Sequence, residues 1–387
     1  MNFKRWLVQG LVAALPLFAH ATDFTPSETL ATPYRWFLDP EFNLTKNLVT
    51  WVDASNGDIW VSGLDPTTGN LVPADGKGKL IEAGAAPIGG LGFTLNGPEW
   101  ALGSNIDYVV YTRFEANKPK TAEYALIGIA ARDQTGTWTH KNMSPAQRNA
   151  PFGSRSRNSS AKISYNDADG NHYWRSLNDA STEEALPLLA GSGLTPAVRF
   201  SDTENVVAYP AFVPGTNQTQ VFSYNLDTHT LSQMTTDGGN KDQPWIWTAP
   251  DYGQTMMLTI VDKSAIGLYA QQYGQWVQIQ KLDTPVPGTW FSTEPFTYKG
   301  KSYALAQLTR AGQNYPSSIW LIGFDPVHPL LRQLTPDQPD RARADPEIVF
   351  TSSGPIVYFS RFDQTKGSYW LCLPCMEGAF RTPTGLE

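Results

Sequence analysis

The chain has 387 residues, 41% of them hydrophobic and 12% aromatic, yet only 17% are charged. With 32 Gly, 29 Pro, 13 Trp, 16 Tyr and 18 Phe, this balance suits many short strands joined by tight turns. It excludes a coiled coil, a helical bundle and a disordered chain. A formal charge of −7 provides no basic face, which excludes a nucleic-acid partner.

Residues 1–21 have the order of an export signal. Lys4 and Arg5 precede the apolar run Trp6–Phe18, and Ala19-His20-Ala21 is a small-x-small cleavage site. The run is too short to remain as an anchor, and no later stretch is long enough to span a bilayer. Cleavage after Ala21 removes two cations, taking the formal charge from −7 to −9. A periplasmic or secreted protein is expected, with residues 22–387 forming one domain and the molecule a monomer.

From residue 39 onward a motif recurs: a proline beside an acid, then an aromatic or apolar residue, then a strand. Its copies are Asp39-Pro40-Glu41-Phe42, Gly97-Pro98-Glu99-Trp100, Ala249-Pro250-Asp251-Tyr252, Glu294-Pro295-Phe296 and Asp345-Pro346-Glu347-Ile348. Ala150-Pro151-Phe152 and Pro196-Ala197-Val198 are weaker copies. The prolines at 40, 98, 151, 196, 250, 295 and 346 have a mean spacing of 51. A strand-filled period of about 40–50 residues is the signature of a propeller.

The interior of each unit agrees. Leu48–Val52, Tyr108–Thr112, Ser302–Ala306 and Pro355–Phe359 are apolar strands. Ile59–Asp65, Val221–Asp227 and Ile319–Asp325 repeat one strand-to-turn pattern, and two copies end in Ser232-Gln-Met-Thr235 and Arg332-Gln-Leu-Thr335. Each unit is expected to be four antiparallel strands. The predicted fold is an all-β, seven-bladed propeller, with six or eight blades as alternatives. The aromatic run Tyr34–Phe37 is expected to add the strand that closes the ring.

The strand–Asp–turn–Leu-Thr pattern resembles the TolB-like, WD40-like propeller repeat of exported bacterial proteins. That resemblance implies a fold and, often, a non-enzymatic scaffold for a protein or glycan partner. Asp39-Pro40 also resembles the Asp-Pro opening the first blade of family 43-type glycoside hydrolases, and Glu294-Pro295 resembles their general-acid segment. The second resemblance implies Asp39 as general base and Glu294 as general acid.

If the proline motif precedes each innermost strand, its acids converge on one funnel: Asp39, Glu41, Glu99, Asp251, Glu294, Asp345 and Glu347. Two carboxylates flanking a glycosidic bond suit hydrolysis, with Glu99 and Asp251 tuning or binding. A carboxylate ring equally suits Ca²⁺, which takes six to eight oxygens. The bland alternative is that the acids start blades and pair with Arg155, Lys241, Arg341 and Arg343. Trp36, Trp100, Trp245, Trp247 and Trp290 flank the motifs as sugar-stacking candidates, with Glu347 and Arg343 as further substrate contacts. His172, Tyr173 and Arg175 have the residue types of a polysaccharide lyase on one strand. Asn166–Asn171 is expected to be a hairpin turn rather than a Ca²⁺ loop. Cys372 and Cys375 suit a local disulfide in an oxidising space, bent by Pro374, with free thiols or redox or metal chemistry as alternatives.

Overall fold

The computed structural model describes residues 24–86, 97–142, 147–156, 160–177, 183–194, 197–203, 205–310, 316–367 and 373–387. The expected export signal lies outside these residues. Strands account for nearly all the regular structure. Among the described residues, helix is confined to three short 3-10 turns, at Ala122–Tyr124, Gln364–Lys366 and Leu373–Cys375. No helix among them is long and apolar enough to cross a membrane.

The strands form seven sheets. Blade 1 holds Phe37–Asn43, Leu48–Asp53, Ile59–Leu64 and Leu71–Val72, and Lys79–Glu82 also pairs with its third strand. Blade 2 holds Glu99–Leu102, Asp107–Arg113, Leu126–Arg132 and Trp138–Asn142. Blade 3 holds Asn149–Gly153, Lys162–Asn166, His172–Ser176 and Glu184–Ala185. Blade 4 holds Arg199–Phe200, Val206–Phe212, Thr219–Asn225 and Thr230–Gln233. Blade 5 holds Lys241–Ala249, Gln254–Val261, Ala265–Gln272 and Gln275–Asp283. Blade 6 holds Gly288–Tyr298, Lys301–Arg310, Ser317–Gly323 and Leu330–Gln333. Blade 7 holds Arg341–Thr351, Gly354–Asp363 and Met376–Pro383, and takes its outer strand, Thr29–Leu30, from the other end of the chain. The chain is a seven-bladed β-propeller.

The core lies in the seams between blades because each sheet has two apolar faces to bury. Trp245, Leu258, Trp290 and Trp320 pack between blades 5 and 6, and Val110, Ile127, Ile163 and Tyr165 between blades 2 and 3. The first strands lie innermost, and neighbouring first strands touch at the seams between blades 1 and 2, 2 and 3, 4 and 5, 5 and 6, 6 and 7, and 7 and 1. Gly153 shows how closely. A Cβ there would collide with the Trp100 carbonyl of blade 2, so the approach needs glycine.

The repeated tail Gln-x-Thr is a repeated set of hydrogen bonds. The Thr235 hydroxyl accepts from Val221 N at 2.9 Å and the Gln233 amide donates to Thr235 O at 2.8 Å. In blade 6 Thr335 accepts from Ile319 N at 3.0 Å and Gln333 donates to Thr335 O at 2.8 Å. The tail therefore satisfies the backbone where the fourth strand ends.

Ring closure differs from expectation. The closing strand is Thr29–Leu30, paired with Arg381 and Phe380. Tyr34 instead donates its hydroxyl to Asp53 at 2.5 Å, and Phe37 begins blade 1. Ahead of the closing strand, the Glu28 carboxylate accepts from Arg343 Nε at 2.7 Å, Arg343 Nη2 at 2.9 Å and Arg361 Nη1 at 2.6 Å. Arg343 is fully buried and also bonds Ser317 O and Gln338 Oε1. It locks the seam and does not line the funnel, which corrects its assignment as a substrate contact. Cys375 is buried and disulfide-bonded. Cys372, the other of the two cysteines, lies outside the described residues.

Candidate functional site: an acidic channel

In blades 1, 3, 6 and 7 the proline motif sits within the innermost strand, not before it. Blades 1, 3, 5, 6 and 7 each have a register shift midway along the first strand. The residue at each shift has a positive φ: Asp39 (52°), Ala150 (49°), Gln243 (48°), Ser292 (41°) and Asp345 (52°). Non-glycine residues there cost about 1–3 kcal/mol each, so five in one structural position mark a built feature. The next residue is Pro40, Pro151, Pro244 or Pro346, and Thr293 in blade 6. Proline suits a bulge because the ladder lapses there and no N–H is lost.

The residue after the bulge is Glu41, Phe152, Trp245, Glu294 or Glu347. Glu99 and Arg199 are the first paired residues of the shorter first strands in blades 2 and 4. Equivalent positions of the seven blades therefore supply four glutamates, one arginine and two aromatics. Asp39 and Asp345, at the bulges, add two more carboxyls. The acids come from blades 6, 7, 1 and 2, which are contiguous around the ring. The aromatic and basic groups come from blades 3, 4 and 5.

The contacts bear out this two-sided channel. Gly97 N donates to Asp39 Oδ2 at 2.6 Å, and a side chain on Gly97 would strike that carboxylate. Ser292 Oγ donates to Asp345 Oδ1 at 3.3 Å. Arg155, just beyond the first strand of blade 3, forms an ion pair with Glu294. Its guanidinium lies 4.5 Å from the Trp245 ring centre. Arg199 lies 4.5 Å from the same ring and 4.3 Å from that of Phe152. Glu347 lies within hydrogen-bonding reach of Glu294.

The crowding has an electrostatic result. Burial, then the charges of Asp345 and Glu99, push the Asp39 carboxyl well above the usual range. Burial, then Glu99 and Glu294, do the same to Glu41, and burial, then Glu294 and Glu41, to Glu347. Burial also raises Asp345 and, near Arg155, Asp202. Burial works against the Arg155 charge, but Glu294, Glu347 and Glu41 outweigh it and hold the guanidinium protonated. These are the two causes expected of like charges gathered away from bulk water.

Several expected site residues are elsewhere. Asp251 lies in the turn after the first strand of blade 5, where its carboxylate accepts from Ser302 N at 2.9 Å and Ser302 Oγ at 2.5 Å of blade 6. Pro244, not Pro250, is the blade 5 counterpart of Pro40. Trp100, Trp247 and Trp290 are buried in the seams, although the Trp100 indole donates to Glu41 O at 2.9 Å. Trp36 packs at the edge of a seam with Arg35 4.6 Å over its ring. His172, Tyr173 and Arg175 lie on the third strand of blade 3, away from the first strands. Burial lowers the His172 imidazole, and Tyr173 bonds Asp167. Asp167 caps a hairpin turn through the N–H groups of Asp169 and Asn171, as expected. Among the described residues no three His, Cys, Asp or Glu side chains have the spacing to hold a metal ion.

No protein-family model matches the chain, and no curated protein matches it. Neither the TolB-like nor the glycoside-hydrolase resemblance therefore has a family match behind it. Among solved structures the chain is similar to a prolyl endopeptidase, with 12% identity over 87% of this chain and 47% of that one, at a TM-score of 0.48. It spans about half of that protein. It is also similar to a mutant of AofleA from Arthrobotrys oligospora, with 9% identity over 69% of this chain and 79% of that one, at a TM-score of 0.41. Neither likeness bears on chemistry.

Proposed function

We propose that the protein is an exported, monomeric propeller that binds a carbohydrate in its acidic channel and hydrolyses glycosidic bonds there. One observation carries this reading: the channel holds both kinds of carboxyl that the reaction needs. Asp39, Glu41 and Glu347 are pushed towards the protonated form by burial and by neighbouring charge. Glu294 forms an ion pair with Arg155. Environments that separate two carboxyls in this way assign acid and base. They also reverse the roles expected from sequence, with Asp39 or Glu347 on the acid side and Glu294 as base or nucleophile. Export is supported by the signal-like order of residues 1–21 and by the disulfide at Cys375.

A specific observation favours a second reading, a non-enzymatic scaffold for a glycan or protein. Arg155 and Arg199 already cover Trp245 and Phe152, the ring faces on which a sugar would stack. A glycan screen of the mature protein, reading both binding and released reducing ends, separates the two. Sugar release lost in Asp39→Asn and in Glu294→Gln supports hydrolysis. Binding without release, unchanged in both variants, overturns it and leaves the scaffold.

A further inference from the structure

We propose that a cavity at the seam of blades 4 and 5 binds a small zwitterion, an ammonium and a carboxylate carried on a short apolar body of about dipeptide size. The inference is independent of the carbohydrate reading, because none of the channel acids lines this cavity. Its volume is about 380 Å³, within the range of small-ligand sites. Leu194 and Pro210 supply an apolar wall, and Asn240, Asp242, Asp262 and Lys263 supply a polar one.

The frame of the cavity is pre-formed. Asp262 Oδ1 accepts from Asn240 N at 2.7 Å, and Asn240 Oδ1 accepts from Thr219 N at 3.0 Å. Thr219 Oγ1 donates to Lys241 O at 2.9 Å. These bonds stitch the third strand of blade 4 to the first strand of blade 5 and to the turn between its second and third strands. The buried Lys241 ammonium is committed within the fold. It donates to Gly238 O at 2.6 Å and pairs with Asp237 at 3.2 Å, so it holds the wall and is not open to a ligand.

Two charged groups of the lining are left over. Among the described residues the Lys263 ammonium has no ion pair and no hydrogen bond. Asp242 Oδ1 accepts from Gln243 N at 2.8 Å, while its Oδ2 has no hydrogen bond among them. Burial raises the Asp242 carboxyl, and Gln243 N and the nearby Lys263 charge work against it, so the two leftover groups sense one another. The turn that presents Lys263 is strained. Ser264 N donates to Val261 O at 3.1 Å, and both central residues have positive φ, 49° at Asp262 and 61° at Lys263. Asn-Gly is the relaxed choice for such a turn. Asp262 uses its side chain to fix Asn240, whereas that of Lys263 meets no hydrogen-bond partner in the described fold. A ligand whose carboxylate meets Lys263 and whose ammonium meets Asp242 satisfies both groups, with its apolar body against Leu194 and Pro210.

Titration calorimetry on the mature protein tests this with leucyl-leucine, its N-acetyl form, which lacks the ammonium, and its C-terminal amide, which lacks the carboxylate. Blocking either end is expected to weaken binding at least about tenfold. Lys263→Gly relaxes the turn and is expected to lose only the preference for the free carboxylate. Asp242→Asn, which keeps an acceptor for Gln243 N, is expected to lose only the preference for the free ammonium. Melting temperatures near or above that of wild type show that both variants are folded. Lys299→Gly relaxes another lysine of positive φ, 48°, outside the cavity, and leaves all three affinities unchanged. Equal binding of the three probes by wild type overturns the proposal, as does a preference that survives both variants. Failure of leucyl-leucine to bind overturns it too, and so does dependence on one end alone, which would mark a site for a single charge.

Discussion

Replacing Glu28 with glutamine unlocks the propeller at its seam. The Glu28 side chain is 5% exposed and Arg343 is completely buried. The glutamine amide keeps one acceptor and loses both the charge and the second acceptor. Arg343 keeps Ser317 O at 2.8 Å and Gln338 Oε1 at 2.7 Å, but no adjacent countercharge. Removing one partner of a buried pair costs about 3–5 kcal/mol, and the retained acceptor trims this to about 2–4 kcal/mol. At roughly 2 cal/mol/K of unfolding entropy per residue, a chain of this length loses about 1–1.5 °C of Tm for each kcal/mol. The expected drop is therefore about 2–6 °C.

The pH dependence supplies a second check. Burial alone would raise the Glu28 carboxyl, but Arg343 and Arg361 outweigh it and hold it below the ordinary value. A depressed carboxyl contributes stability above its unfolded pKa and loses it as pH falls through its folded pKa. The gap between wild type and variant is thus full at neutral pH and closes as pH falls through and below the ordinary carboxylate range. Urea unfolding across pH measures it. Asp337→Asn, which breaks the exposed Arg310 pair, is the control and changes stability by about 0.5 kcal/mol or less. A Glu28 variant as stable as this control at pH 7, or a gap that persists in acid, refutes the argument.

The channel acids respond with the opposite sign. Raised carboxyls contribute fully below the ordinary carboxylate pKa and lose that contribution as pH rises through their raised values. Glu347→Gln should therefore be more stable than wild type at pH 8, by roughly 1–2 kcal/mol, with little gain near pH 4; scanning calorimetry showing a loss at pH 8 contradicts the repulsion. Asp251→Ala should cost about 1–3 kcal/mol, through its two lost bonds to blade 6, and leave binding in the glycan screen untouched. Trp245→Leu should abolish the fluorescence response to ligand and weaken binding, whereas Trp290→Phe should lower stability with binding unchanged. Equal effects of these two substitutions on affinity would place the ligand away from Trp245.

The fold was legible because its signals are local and repeated. Gln233 and Gln333, a hundred positions apart, make the same hydrogen bond. The acids were legible for a related reason: bulge, proline and glutamate are neighbours in the chain, so the sequence alone places Glu41 and Glu347 together. The error at Asp251 arose within one strand. Pro244 lies at the bulge midway along the first strand of blade 5 and Pro250 just past its end, and only pairing distinguishes them. The tryptophans failed because adjacency to the motif does not specify which side of a strand a ring takes. Arg155 and Arg199 carry no motif, and reach the channel only because blades 3 and 4 are brought opposite blades 6, 7 and 1. Arg343 was misassigned because its partner, Glu28, lies 315 residues away.

That separation has a consequence for biogenesis. Every other blade is completed by neighbouring sequence, but the seventh waits for both ends of the chain. Folding can proceed blade by blade while closure remains a single late step of very high contact order. Until that step, Arg343 has no countercharge and the Met376–Pro383 strand offers a bare edge. A chain cut short before residue 376 can never seal, however well its first six blades form. The pairing of Thr29–Leu30 with Arg381 and Phe380 thus makes closure depend on the end of blade 7, and truncated products are expected to be cleaved by proteases faster than the closed ring.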